Sequence, residues 1–438
     1  MVDSQSESFS KQLWEKHKKQ AILSQYTPFI ISLAAGNLPV HTFEAYLYQD
    51  IHYLTAYAQA AYIAEEYAAD AESKEKLQKL GDYSILYIQT CSSFFEELGL
   101  KYKPGSVPKN EATIKYIDFL LKAARTKITV YTFAAMTPCN KIYTYLGWEV
   151  KNALSAEQLE NNKYKRWIEE NTSKAMKLQK RYFQIFNQKS VKSMEYFIDK
   201  LSVGLPEEEL DKIEEYYKKG LEHETQFFLA QEIVGQEVVV PLWKQLQGLK
   251  WSLVSDFDLC LTKSSCDLEI LKVHEKLIAN ELLRAIPPVW QKDNLNASAH
   301  VISACQNDDD IKSALIEEGL IGKVSHAGNK GSVESSIDKL EAFIENRGKK
   351  LSLYIGDSVR DLLCLLKSDI PIVHESNEQL IKVGKHFLVS FSPLFKGLID
   401  KQREYIDQAS LSPWNPNPCV IYTYTYWAEI LAFILLGT

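Results

Sequence analysis

Two groups of residues have types and spacings that could do chemistry. The first is Ser255–Thr262, SDFDLCLT, which follows an apolar run at Trp251, Leu253 and Val254. Alternate residues of a strand share a face, so Asp256 and Asp258 point the same way at a strand's end. Like carboxylates that close favour either a retained proton or a bound cation. Such a pair suits a nucleophile beside a general acid/base at a metal. The second group lies upstream. Asp50 and Tyr53 stand at i and i+3, on one helix face, and Asp50 sits among apolar neighbours where a carboxylate needs a reason to exist. Thr137-Pro138 reads as a helix break, which places Cys139 at the start of a new helix from Asn140, where the dipole stabilises a thiolate. Tyr143 follows four residues on, over the same face. Glu224 lies in the largely apolar stretch His223–Ala230 with Phe227 and Phe228, where a carboxyl held protonated can serve as an acid. Singly, each has a plain packing explanation: a polar turn, a buried thiol, a solvated carboxylate.

The elements that must position these groups differ between the two parts of the chain. Residues 8–236 carry helix-period patterns almost throughout. The segments are His41–Ala69, Lys74–Leu98, Thr113–Ala135, Lys141–Val150, Ala156–Asn171, Lys174–Phe186, Val191–Leu201 and Glu207–Gln236, with breaks at Gly36–Pro39, Gly99–Lys109 and Gly204–Pro206. Nothing there alternates like a sheet, so the expectation is a helical bundle over residues 1–236. Residues 237–250, with Val238–Val240 and Pro241, read as a linker. From Trp251 to residue 438, short apolar runs at Leu253–Val254, Ala299–Ile302, Leu351–Ile355 and Pro371–Val373 alternate with helical segments, the pattern of a parallel sheet with crossover helices. Asn307–Asp310 reads as a helix N-terminal cap.

A length of 438 residues exceeds one ordinary core and predicts two domains. A net charge of -7 argues against a nucleic-acid or anionic-membrane partner. Seven scattered cysteines do not form a disulfide framework and fit a reducing compartment. The N-terminal stretch has no apolar signal core and is not Arg-rich, so a cytoplasmic location is expected, with an organelle form from an upstream start left open. The apolar run Ala428–Leu436 is too short to span a membrane and reads as a buried closing segment. Many of the 24 tyrosines fall in the first part, where inward hydroxyls need partners and can line a polar pocket.

The stretches FEAYLYQDIHYL (Phe43–Leu54), MTPCNKIYTYLG (Met136–Gly147), YKRWI (Tyr164–Ile168) and HETQFF (His223–Phe228) resemble the TenA family of thiamin-salvage hydrolases, in the family's order and over about residues 8–235. The resemblance implies an all-α bundle of the haem-oxygenase type without a cofactor, acting on an aminopyrimidine or on thiamin. It implies Cys139 as nucleophile on the pyrimidine ring, Glu224 as acid for the leaving group and Asp50 as ligand of the ring nitrogen and amino group. Tyr53, Tyr116, Tyr143 and Tyr164 would line the pocket. Phe228 replaces a Trp common in the family.

SDFDLCLT, with Ser303 closing AHVISA, Lys339 in ESSIDKL, and YIGDSVRDLL (Tyr354–Leu363), resembles the ordered motifs of haloacid-dehalogenase (HAD) phosphatases, over about residues 250–400. That implies a Rossmann-like α/β domain. Asp256 would be the nucleophile forming an aspartyl-phosphate, and Asp258 the acid/base. Ser303 and Lys339 would bind phosphate, and Asp256, Asp258, Asp357 and Asp361 would hold Mg²⁺. The two modules together resemble the plant-type bifunctional TenA–HAD fusions, which implicates thiamin monophosphate as the phosphatase substrate. Three departures stand out: Cys260 where Thr or Val is usual, Arg360 where a small residue is usual, and an interval from Thr262 to Ser303 shorter than the family's helical cap. Three functions remain open: a bifunctional enzyme, a hydrolase whose HAD half is a structural or oligomerising module, and a thiamin-binding protein without turnover. A homo-oligomer with small-molecule substrates is expected, with no nucleic-acid or membrane partner.

Overall fold

The computed structural model describes residues 8–172, 188–245, 250–256, 297–303, 308–317, 319, 324–327, 333, 335–375, 377–407 and 420–436. The chain divides into two compact units, residues 1–237 and 238–438.

The first unit is helical among its described residues. Its helices are α1 (Phe9–Gln25), α2 (Pro28–Ala35), α3 (Val40–Tyr67), α4 (Ala71–Thr90), α5 (Ser92–Glu97), α6 (Glu111–Arg125), α7 (Thr129–Ala153), α8 (Ala156–Glu160), α9 (Lys165–Thr172), α10 (Gln188–Ser202) and α11 (Glu207–Leu229). Local chemistry sets several ends. Thr27 caps α2 ahead of Pro28, and Asp70 and Asn110 cap α4 and α6 by accepting from Ser73 and Thr113 backbone N–H groups. Gly36, at φ 78°, ends α2 in the left-handed conformation that glycine adopts without strain. The helix expected over Lys174–Phe186 lies outside the described residues.

Several expectations about helix boundaries need correction: Lys74–Leu98 is two helices, α4 and α5, Ala156–Asn171 is α8 and α9, and the helix expected to run to Gln236 ends at Leu229. Thr113–Ala135 is not one helix: the chain turns between α6 and α7, with Lys127 at φ 64°. Pro138, in contrast, does not break α7, which runs through it. A proline inside a helix removes one backbone bond and crowds the carbonyl four residues back. Packing against α11 sustains the helix here. Thr137 Oγ1 donates to the Phe133 carbonyl at 2.7 Å, and Gly220 of α11 lies against the Pro138 ring. A Cβ at Gly220 would stand 2.8 Å from Pro138 Cγ and 3.1 Å from the Ala135 carbonyl oxygen. Cys139 therefore sits in mid-helix, without the helix-start dipole that the sequence pattern implied.

Among the described residues, the second unit is built on a seven-stranded sheet, ordered β3-β2-β1-β4-β5-β7-β6, with every neighbouring pair parallel. The strands are β1 (Trp251–Asp256), β2 (Ala297–Ile302), β3 (Ser325–Ala327), β4 (Leu351–Gly356), β5 (Ile370–His374), β6 (Ser390–Pro393) and β7 (Val420–Tyr424). The apolar runs read from sequence are β1, β2, β4 and β5. Three strands were not read from the sequence: β3, a short SHA; β6, SFSP, which lies half-exposed at an edge; and β7, VIYTY, whose apolar start is only two residues long. β1 lies between β2 and β4, so Asp256 ends beside Gly356 and the carboxylates that follow it. The closing helix Trp427–Leu435 is buried along most of its length. Among the described residues, no helix is long and apolar enough to cross a membrane. The segment read as a linker is partly core of this unit: Val238, Val239, Val240 and Leu242 are buried, and the Val239 N–H donates to Gln402 Oε1 at 2.8 Å.

The Gly220–Pro138 approach sets a test of packing. Alanine would gain about 1 kcal/mol of helix propensity over glycine. The new methyl would meet a rigid ring and a backbone oxygen, and overpacking of that kind costs about 1–3 kcal/mol. Gly220→Ala is expected to lower the melting temperature in calorimetry; an equal or higher value would rule out the close contact.

Candidate functional site

In the helical unit, three elements bring three reactive groups together. Asp50 comes from α3, Cys139 from α7 and Glu224 from α11, and they are exposed by only 7%, 1% and 1%. The α3 face facing them carries Tyr46, Asp50, Tyr53 and Tyr57, spaced as successive turns of one helical stripe and all buried. Cys139 is hydrogen-bonded to Glu224 and to Tyr53. Glu224 Oε1 also accepts from the Tyr116 hydroxyl at 2.7 Å, and Tyr116 in turn accepts from the Tyr53 hydroxyl at 3.2 Å. The Tyr53 and Tyr116 rings lie 4.4 Å apart between centroids.

Burial governs the proton affinities. Glu224 is pushed up to about 7 by burial, with the bonds from Tyr116 and Cys139 pulling back. Asp50 is pushed up to about 8 by burial and then by the Glu224 charge. The Cys139 thiol is raised by burial, then by Glu224 and Asp50. The depressed thiol expected from a helix start is thus overturned. The resting group is a thiol that needs a base, and Glu224 is in contact to be one.

The predicted pocket tyrosines divide. Tyr53 and Tyr116 join the Cys139–Glu224 network. Tyr143 accepts from the Tyr46 hydroxyl at 3.0 Å, and Tyr46 accepts from Trp167 Nε1 at 3.1 Å. Phe228 packs on Tyr143 with centroids 5.5 Å apart. Tyr164 is tied elsewhere: its hydroxyl donates to the Leu38 carbonyl, and its ring lies 4.6 Å from that of Phe43. Sequence reasoning missed Tyr46, Tyr57 and Trp167. The Tyr46-Asp50-Tyr53-Tyr57 spacing was the signal for the first two. Nothing local marks Trp167, whose partner comes from α3.

In the α/β unit, Asp256, Asp357 and Asp361 each offer a carboxylate oxygen within 4.8 Å of one another. Lys339, 1% exposed, reaches Asp256 Oδ2 at 2.9 Å and Asp361 Oδ1 at 2.6 Å. Burial opposes the Lys339 charge, but the Asp361 and Asp256 carboxylates outweigh it and hold it above the ordinary lysine range. Asp361 is fully engaged. Its Oδ1 also accepts from the Tyr354 hydroxyl at 2.7 Å, and Oδ2 accepts from Ser358 N–H and Oγ and from Asp357 N–H. Gly356 permits this fold-back, because a Cβ there would stand 2.6 Å from that of Asp361. Lys339 and these donors keep Asp361 ionised below the usual carboxylate range, whereas burial and the neighbouring Asp361 charge raise Asp256. Three carboxylates against one lysine leave a net negative cluster of hard oxygen donors, which fits Mg²⁺. Ser303 is buried just past the end of β2. Arg360 is exposed. Asp258, Cys260 and residues 262–296 lie outside the described residues.

The Arabidopsis thaliana protein named "Bifunctional TH2 protein, mitochondrial" is 30% identical to this chain over 565 aligned positions, covering 98% of this chain and 89% of its own length. The chain belongs to the bifunctional TH2 family. The TENA/THI-4/PQQC family matches residues 15–232, so the helical unit is its TenA-type domain. The Staphylococcus saprophyticus protein named "Aminopyrimidine aminohydrolase" is 26% identical over 232 residues, covering 50% of this chain and 92% of its own. Among solved structures, the TenA homologue from P. horikoshii OT3 has a TM-score of 0.44 at 19% identity, covering 51% of this chain and 98% of its own. The alignment to the Arabidopsis relative is longer than this chain, so that relative carries segments with no counterpart here.

The raised carboxyls of the TenA-type domain have a consequence for stability. The folded chain keeps protons on Asp50 and Glu224 that an unfolded chain releases near its ordinary values of 3.8 and 4.5. Their contribution is full below those values and is lost as pH rises toward about 8 for Asp50 and about 7 for Glu224. Asp50→Asn is expected to flatten the fall in stability between about pH 5 and pH 8 in chemical denaturation. Equal slopes for variant and wild type would rule out a proton held on Asp50.

Proposed function

We propose that the TenA-type domain hydrolyses an aminopyrimidine, releasing ammonia, and that it also accepts thiamin. The observation that carries this reading is the buried Cys139–Glu224 hydrogen bond beside Asp50, on three different helices. The protonated Asp50 carboxyl suits a ring nitrogen and its adjacent amino group. Glu224 takes the thiol proton as Cys139 Sγ bonds to the amino-bearing ring carbon, and returns a proton to the nitrogen as the C–N bond breaks. Water then attacks the same carbon, the C–S bond breaks and the thiol is restored. Glu224 at about 7 is poised for both directions. Its need for a proton on the departing nitrogen predicts that turnover falls as pH rises beyond that value. Tyr53 and Tyr116 hold the acid and the thiol in register. Tyr143 and Phe228 supply a wall for the ring.

For the α/β domain the reading is a HAD-type phosphatase acting on thiamin monophosphate. An oxygen of Asp256 bonds to phosphorus as the ester P–O bond breaks, and Asp258 gives the leaving alcohol its proton, then activates water to cleave the aspartyl-phosphate. Asp256 and Asp357, with Asp258 and Asp361, would hold Mg²⁺, which when bound neutralises charge between phosphate and carboxylates. Lys339 orients Asp256, and Ser303 would donate to phosphate. A second reading, in which this domain is structural, draws on the segments present in the Arabidopsis relative and lacking here. Homo-oligomerisation and a cytoplasmic location belong to the same proposal.

Cys139→Ala is expected to lower ammonia release from aminopyrimidine by more than about 1,000-fold; substantial residual release would refute the nucleophile. Asp256→Asn is expected to abolish Mg²⁺-dependent phosphate release from thiamin monophosphate. Should wild type release no more phosphate than that variant, the structural reading of the α/β domain stands instead.

A further inference from the structure

Gln49 precedes Asp50 on α3 and is only 3% exposed. Its carboxamide is used at both ends. Nε2 donates to the Pro108 carbonyl at 2.9 Å, and Oε1 accepts from the Asn110 N–H at 3.0 Å. A carbonyl only accepts and an N–H only donates, so these partners fix the orientation of the amide. Asn110 is the N-cap of α6, accepting from the Thr113 N–H at 2.8 Å. The clasp therefore grips the first residues of the helix that carries Tyr116. Two other α3 residues fasten the same loop farther back, Tyr48 to the Lys103 N–H and His52 to the Val107 carbonyl, each at 2.9 Å.

The other end of the α3–α6 relationship is the site itself, where Tyr53 of α3 meets Tyr116 of α6 and Tyr116 donates to Glu224. We propose that Gln49 is a positioning residue: by clasping the start of α6 to α3, it holds the Tyr116 hydroxyl on Glu224. Its consequence for turnover rests on the hydrolase reading, but the contact itself does not. Glu224 is faced by Asp50, Tyr46, Tyr53 and Tyr57 from α3, Tyr116 from α6, and Cys139 and Tyr143 from α7. α2 meets α11 through the Phe29 and Phe228 rings, and α1 meets it through His17 with Glu214 and Ser24 with Thr225. Tyr116 and Cys139 are the donors that hold Glu224 down, and Tyr116 is the one carried by α6.

The test is an infrared titration of the protonated Glu224 carboxyl in the full chain, with the band assigned by its loss in Glu224→Gln. Gln49→Met and Tyr116→Phe are each expected to raise the midpoint by about one pH unit, and the double variant no further. Gln49→Glu, which keeps an acceptor for Asn110, is expected to shift it less, and serves if the methionine variant does not fold. His52→Ala loosens the same loop and is expected to lower melting without moving the midpoint. An unmoved midpoint in the Gln49 variants, or an equal shift in His52→Ala, overturns the proposal. Absence of ammonia release by wild type would overturn the hydrolase reading and leave the midpoint result standing.

Discussion

The Cys139–Glu224 hydrogen bond, buried at the crossing of α7 and α11, is the contact on which the TenA-type domain turns. It requires two helices to approach closely at that level. Gly220 provides the approach: it lies one turn before Glu224 and packs on Pro138, next to Cys139. Burial raises Glu224 from 4.5 to about 7, a disadvantage for its charged form of about 3 kcal/mol. The same dryness raises Cys139 and Asp50. Burial therefore favours the protonated forms of Asp50, Glu224 and the Cys139 thiol alike, with no preformed thiolate.

The α/β domain solves a different electrostatic problem. Asp256, Asp357 and Asp361 converge at the carboxyl ends of adjacent parallel strands, where like charges repel. Lys339 offsets part of that repulsion, and Asp361 accepts from backbone and hydroxyl donors of its own loop and from the Tyr354 hydroxyl of β4. Asp361 therefore anchors Lys339 and the loop through these bonds, while its carboxylate stays beside those of Asp256 and Asp357.

Much of this was legible in the residues. The switch from helical to strand patterning near Trp251, the Asp256–Asp258 alternation and the Asp357–Asp361 spacing all depend on neighbours in sequence. So does the Tyr46-Asp50-Tyr53-Tyr57 stripe, though only two of its members were read. The errors share one cause. Pro138 looked like a helix break because local rules treat proline alone, whereas α11 packs on that turn. Thr126–Ile128 looked helical because its composition carries no glycine or proline to announce a turn. β3, β6 and β7 escaped because their apolar runs are short or absent, and their place in the sheet is set by partners distant in the chain.

The sequence by itself determined which residues could react, the two-part organisation and the family, because motifs and periodicities are local properties that survive without contacts. Tertiary structure alone decided that Cys139 rests as a thiol against Glu224, that Tyr46 and Trp167 back Tyr143 while Tyr164 turns away, and that Lys339 lies between Asp256 and Asp361. Each of those facts depends on burial and on partners brought from other helices or strands. Proton affinity and hydrogen-bond direction are set by such surroundings, not by residue type.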